Sequence, residues 1–205
     1  MSFTDLMRLK FKGILDPIAR FLNGLGLKPN LITIFGLIGQ FFAAILLGMG
    51  EIMWGGIVLL FFAPIDALDG TMARLRNEPT RFGGFVDSVT DRYSELIVFA
   101  GLLFYFAQIQ NVLGIMLVFF AAGGSIMVSY TRAKAEALNY DAKVGILTRL
   151  ERYIIIIPCL IFQIPLVAMG IIAVFANITA FQRILSVRKQ AYLAKDVVGL
   201  KNQNK

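Results

Sequence analysis

The sequence predicts an all-α membrane protein with six transmembrane helices, preceded by an amphipathic helix on the membrane surface. Three observations lead there. Hydrophobic residues make up 58% of the 205-residue chain, and the mean hydropathy is +0.73, whereas only about half of an ordinary soluble domain is apolar. Apolar runs of roughly 20 residues recur, the length a helix needs to cross a bilayer. Basic residues gather in alternate connections between those runs.

Residues 2–25 are too charged to cross. Met7, Phe11, Ile14, Ile18 and Phe21 recur at helical spacing, with Arg8, Lys12 and Asp16 off that stripe. This pattern predicts a helix lying on the membrane with its cations among anionic headgroups. The cations scattered through the first 30 residues predict no cleaved leader. Gly24, Gly26 and Pro29 break the chain, and Asn30 is placed to cap the next helix. Six spans follow, at 31–49, 53–75, 82–107, 112–137, 149–164 and 166–188.

The connections at 50–52, 108–111 and 163–165 are short and nearly uncharged. With six spans, all 20 Lys and Arg fall on the opposite side or within about two turns of it. The uncharged side shows only Glu51. Both termini are therefore expected in the cytoplasm, with 189–205 as a tail and 1–205 as one membrane domain. The net charge of +7 reports this orientation and gives no reason to invoke nucleic acid. Cys159, the single cysteine, lies in an apolar run and reads as a small hydrophobe. With no histidine in the chain, any metal must be held by oxygen, which favours Mg²⁺, Mn²⁺ or Ca²⁺.

Acidic residues inside spans are costly and usually functional. Asp66 and Asp69 are three residues apart near the cytoplasmic end of the second span, so they share a helical face. Asp87 and Asp91, four apart, do the same at the start of the third. The short connection makes these helices antiparallel neighbours, so the four carboxylates are expected at one depth. Four anions in a medium less polar than water repel strongly unless some are protonated or cations separate them. A pair of Mg²⁺ ions would cancel the charge, as is common for in-line phosphoryl chemistry. Gly70, Ala73, Gly83 and Gly84 leave room there for a nucleotide. Arg74, one turn from Gly70, offers a planar fork to a diphosphate.

From Asp66 to Asp91 the chain reads D-A-L-D-G-T-M-A-R-L-R-N-E-P-T-R-F-G-G-F-V-D-S-V-T-D. This resembles the CDP-alcohol phosphotransferase family, whose pattern D-x2-D-G-x2-A-R-x8-G-x3-D-x3-D it matches at every specified position. The resemblance extends over the whole chain and implies a homodimer. It also implies a reaction in which an acceptor hydroxyl attacks the lipid-proximal phosphorus of a CDP-lipid and CMP departs. By the same resemblance, Asp66 and Asp87 would bridge two Mg²⁺ ions, with Mn²⁺ able to substitute. Asp69 would complete one ion site and Asp91 the other, and Asp91 would also accept the proton. Gly70, Arg74 and Thr80 would contact the CDP moiety, together with Pro29, Asn30, Leu31 and Ile32.

Arg132, Arg149, Arg152 and Arg183 are expected near the depth of the aspartates, with Ser129 beside them. Such a cationic pocket suits a phosphorylated acceptor better than free inositol, serine or choline, because an anion leaving water needs paired cations. The stretches S-Y-x-R-A-K-A-E (from Ser129) and D-S-V-T-D-R (from Asp87) resemble the phosphatidylinositol phosphate synthases and their archaeal ether-lipid counterparts. Where those usually read E-R-P-E-R, this chain has Thr148-Arg149-Leu150-Glu151-Arg152. Both arginines of that pattern survive, and the resemblance favours inositol 1-phosphate over glycerol 3-phosphate. A membrane cation transporter would also bury aspartates, but nearer the midplane and often in a repeated half, and this chain shows no internal repeat. A purely structural protein would leave the carboxylates unexplained.

Overall fold

In a bilayer, a segment must satisfy its own backbone polar groups, and a helix does so internally. The computed structural model describes residues 3–76 and 80–194, with the side chains of residues 3–12, 14, 66 and 67 outside that description. Every regular element among them is helical: α1 (Phe3–Gly24), α2 (Pro29–Gly48), α3 (Ile52–Phe62), a 3-10 turn (Ala63–Ile65), α4 (Asp66–Leu75), α5 (Arg81–Gln108), α6 (Val112–Ala137), α7 (Arg149–Ile161) and α8 (Pro165–Leu193).

Four stretches are long and apolar enough to cross a membrane: Pro29–Gly48, Ile52–Leu75 taken through its break, Val112–Ala137 and Pro165–Leu193. α5 has the length, but it carries Asp87, Asp91, Arg92 and Glu95 between its start and its middle. α7 has 13 residues, about 20 Å of rise, against roughly 30 Å of hydrocarbon. Both still belong to the bundle. α5 packs on α2 and α6, α7 packs on α3 and α8, and α6 and α8 share the largest interface. Leu47, Leu59, Leu102, Leu160, Met169 and Ile172 form the fully buried centre. Phe41, Phe42, Phe119, Phe120 and Phe181 are at least half exposed. Rings spread over the surface in this way suit lipid tails far better than water.

Several boundaries depart from the sequence expectation. The second span is not one helix, because Pro64 has no N–H to donate and crowds the preceding turn. The chain passes through the 3-10 turn and restarts at Asp66. Asn30 does not cap α2. Lys28 is the N-cap residue and Pro29 opens the helix, as the fixed φ of proline favours. α7 stops at Ile161, since Gln163 takes φ 57° and Pro165 begins α8. α8 runs on to Leu193, so the expected tail starts later; residues 195–205 lie outside those described.

On the surface helix, the expected stripe residues Met7, Phe11 and Ile14 have side chains outside the description. Ile18 and Phe21 are 42% and 67% exposed, while Ala19 is buried against Ile32 of α2 and Met72 of α4. Arg76 fastens this end of the molecule. It donates from Nε to Asn23 Oδ1 at 2.6 Å and from Nη2 to the Leu27 carbonyl at 2.7 Å. The loop from 138 to 148 is tied down onto α8. The Asp141 N–H donates to Gln190 Oε1 at 2.9 Å, the Leu147 N–H donates to Thr179 Oγ1 at 3.0 Å, and Arg183 Nε donates to the Val144 carbonyl at 2.9 Å. That loop delivers the start of α7 to the site.

Candidate active site

The acidic motif straddles α4 and α5. Asp66 opens α4 and its side chain lies outside the description. Asp69, one turn on, is buried. Its carboxylate accepts from the Thr33 hydroxyl of α2 and from the Gly70 N–H. These donors orient the carboxylate toward the first turn of α2, where the sequence places the Pro29–Asn30–Leu31–Ile32 stretch. Leu31 and Asn30 are exposed there, while Ile32 is buried against Met72. Ile32 thus contributes packing that holds the stretch onto α4.

Asp87 and Asp91 project from the first half of α5 and are partly buried. One oxygen of Asp91 pairs with Arg149 Nη1 of α7, and Arg92 Nη1 lies 3.7 Å from the other. Among the described residues no three carboxylates converge closely enough to cage an ion. The donor set still fits a hard divalent cation, being all oxygen. The guanidinium on Asp91 also marks a position that attracts positive charge.

Gly70 and Gly84 behave as open space and not as helix packing, whereas a Cβ on Gly83 would stand only 2.9 Å from the Thr80 hydroxyl. A Cβ added to Gly70 would meet only Arg74 Nη1, at 3.5 Å, and one added to Gly84 would meet nothing described within 4 Å. By contrast, a Cβ on Gly101, deeper in α5, would run into the backbone of Ala44. Arg74 is exposed and donates to Thr71 Oγ1 at 2.9 Å. Thr80 turns out to cap α5, accepting from the Gly83 N–H at 2.9 Å. Both are exposed, Arg74 at the end of α4 and Thr80 at the start of α5.

The arginines expected to form a cationic pocket fall into two kinds. Arg132 is exposed and pairs with Glu136 at 2.9 Å; Ser129 lies nearly one turn before it on α6, partly buried. Arg149 is partly exposed beside Asp91. Arg152 is 2% exposed, with Nε and Nη2 on the two oxygens of Glu95 at 2.5 and 2.8 Å. Arg183 is buried and also donates to the Val128 carbonyl. Arg132 and Arg152 both lie close enough to Arg183 for their charges to act on it, and the two buried arginines, Arg152 and Arg183, are hydrogen-bonded to the protein.

Sequence reasoning missed four participants. Thr33 lies one turn beyond Pro29 on the same helical face. Glu95 continues the i, i+4 series of Asp87 and Asp91, so its spacing was readable. Tyr153 follows Arg149 by four residues, and its hydroxyl donates to Gln40 Oε1 at 2.7 Å. Gln40 had no signal beyond being a polar residue in an apolar run.

Residues 27–185 match the CDP-alcohol phosphatidyltransferase family. The chain is 37% identical to a phosphatidylinositol phosphate synthase of Mycobacteroides abscessus, over 89% of this chain and 87% of that one. It is 35% identical to an archaetidylinositol phosphate synthase of Pyrococcus horikoshii, over 90% of this chain and 96% of that one. Crystal structures of the Mycobacterium tuberculosis phosphatidylinositol phosphate synthase superpose with a TM-score of 0.79 at 34% identity, covering 85% of this chain. One, with CDP-DAG bound, is covered over 93% of its length, and one, in complex with manganese and citrate, over 88%. The apolar helices and this kinship make the protein an integral membrane enzyme of lipid metabolism. It belongs to the CDP-alcohol phosphatidyltransferase family.

Proposed function

We propose that the protein transfers a phosphatidyl-type group from a CDP-lipid, CDP-diacylglycerol or CDP-archaeol, to inositol 1-phosphate and releases CMP. The observation that carries this reading is the contact between Asp91 of α5 and Arg149 of α7. It sets a proton acceptor beside a cation able to hold an acceptor's phosphate. The acceptor oxygen forms a bond to the phosphorus nearer the lipid, and the bond from that phosphorus to the CMP oxygen breaks. Asp91 takes the hydroxyl proton, and the electron pair leaves with CMP.

Asp66, Asp69, Asp87 and Asp91 would hold two divalent ions, Mg²⁺ by preference with Mn²⁺ able to replace it. When bound, these ions supply positive charge against the diphosphate. The protein's own part is mainly placement. Thr33 fixes the Asp69 carboxylate, open space at Gly70 admits the cytidine nucleotide, and Arg74 faces its phosphates. Pro29, Asn30, Leu31 and Thr80 complete the nucleotide side of the site, with Ile32 packed beneath it. Arg149 and Arg132, with Ser129, hold the acceptor phosphate, while Arg152 and Arg183 supply positive potential from behind. Such preorganisation carries much of a reaction whose groups need only be brought together.

We place six helices across the bilayer, α5 and α7 included, with both termini and the site on the cytoplasmic side. Two copies form a homodimer, as the resemblance implies. An acceptor panel at fixed CDP-diacylglycerol tests the function. Inositol 1-phosphate should release CMP at least tenfold faster than free inositol or serine, as a site built around paired cations requires. A preference for glycerol 3-phosphate would overturn the choice of acceptor. CMP release with free inositol equal to that with its phosphate would overturn the cationic pocket.

A further inference from the structure

Gln40 is fully buried in the middle of α2, among side chains that are almost all apolar. An amide at that depth is costly unless its polar atoms are satisfied. Its Oε1 accepts from the Tyr153 hydroxyl at 2.7 Å, joining α2 to α7 across 113 residues. The Tyr153 ring in turn lies under Arg149, whose guanidinium carbon is 5.3 Å from the ring centroid. Arg149 meets Asp91. A continuous series of contacts therefore runs from the buried amide of α2, through the tyrosine of α7, to the carboxylate of α5.

We propose that Tyr153 and Gln40 are positioning residues for the acceptor site, an aromatic shelf and its anchor, which set where the Arg149 guanidinium stands. This rests on the reading above that Arg149 holds the acceptor phosphate. A free arginine side chain samples many rotamers, and each productive contact then costs ordering entropy. A ring face attracts the guanidinium and restricts it to one plane. The ring can do this only if its own rotation is fixed, which is the contribution of the hydrogen bond to Gln40. A phenylalanine would supply the face without that anchor. The shelf reaches the site through Arg149, whereas among the described contacts Arg74 bonds to Thr71 and Thr80 to Gly83. Disturbing it should therefore weaken one substrate and leave the other.

The test is steady-state CMP release by the purified full-length protein in lipid nanodiscs, varying inositol 1-phosphate and CDP-diacylglycerol separately. Tyr153→Phe and Gln40→Leu should each raise the acceptor KM about threefold, and Tyr153→Leu about tenfold. The CDP-lipid KM should not move. The double variant Tyr153→Phe/Gln40→Leu should be no worse than either single one, because both break the same hydrogen bond. Equal rises in both KM values, a loss confined to kcat, or additive effects would each overturn the proposal by reducing the pair to ordinary helix packing. Tyr153→Phe alters a single atom, so the question stays answerable should the leucine variant fail to fold.

Arg149→Gln separates this inference from the function beneath it. An unchanged acceptor KM in that variant would overturn both. A raised KM there, with Tyr153→Leu unchanged, would overturn only the shelf.

Discussion

Glu95→Gln removes one charge from a buried pair while keeping its shape, and the structure sets the expected cost. Arg152 and Glu95 side chains are 2% and 10% exposed, so water cannot take over when the carboxylate is neutralised. Two charge-assisted bonds weaken, at 2.5 and 2.8 Å, leaving Arg152 with the Leu147 carbonyl at 3.3 Å. Removing one partner of such a pair typically costs about 3–5 kcal/mol. For a chain of this size that is a fall in Tm of roughly 6–20 °C, read by thermal unfolding in mild detergent. Replacing both members, as in Glu95→Leu/Arg152→Met, should recover most of the loss, because no uncompensated charge remains. A Glu95→Gln variant that unfolds at the wild-type temperature would refute the reasoning. Arg152 would then not be held by Glu95 and would be free to serve the acceptor directly.

Asp87→Asn and Asp91→Asn should each abolish CMP release while shifting Tm by no more than a few degrees, measured side by side on the same preparations. Arg149→Gln should bind Mn²⁺ about three- to tenfold more tightly than wild type, since it removes the cation that competes for Asp91; free Mn²⁺ is counted by its paramagnetic resonance signal, and weaker binding would count against the shared position. Gly70→Ala should fold normally yet raise the KM for CDP-lipid about tenfold by filling the space beside Asp69. Gly101→Ala should do the reverse: its Cβ meets the Ala44 backbone, and prying α5 from α2 should cost about 1–3 kcal/mol, seen as a lower Tm with unchanged KM values.

Much of this architecture is legible in the chain because a bilayer makes hydropathy a length measurement. The apolar runs gave α2 and α6 almost to the residue. The break before Asp66 is not apparent from hydropathy, because Pro64 sits within an apolar run from Ile52 to Ile65. The buried network was invisible for another reason. Periodicity reports which residues share a face of one helix, and Asp87, Asp91 and Glu95 do so. It says nothing about the partner helix, and Arg152 stands 57 residues from Glu95.

The departure at Thr148 illustrates how the two levels join. Thr148 is the N-cap residue of α7, and its N–H donates to the Glu151 carboxylate, a reciprocal arrangement that fixes where a helix begins. With the start of α7 fixed, Arg149, Arg152 and Tyr153 emerge at i, i+3 and i+4, on one face. Opposite them, Asp91 and Glu95 emerge four apart on α5. The two pairs meet in register, Arg149 with Asp91 and Arg152 with Glu95. Moving the start of α7 by one residue would rotate its face by about 100° and separate both pairs at once. A threonine where relatives usually carry a glutamate is therefore compatible with the same site, because what the position must supply is a helix start.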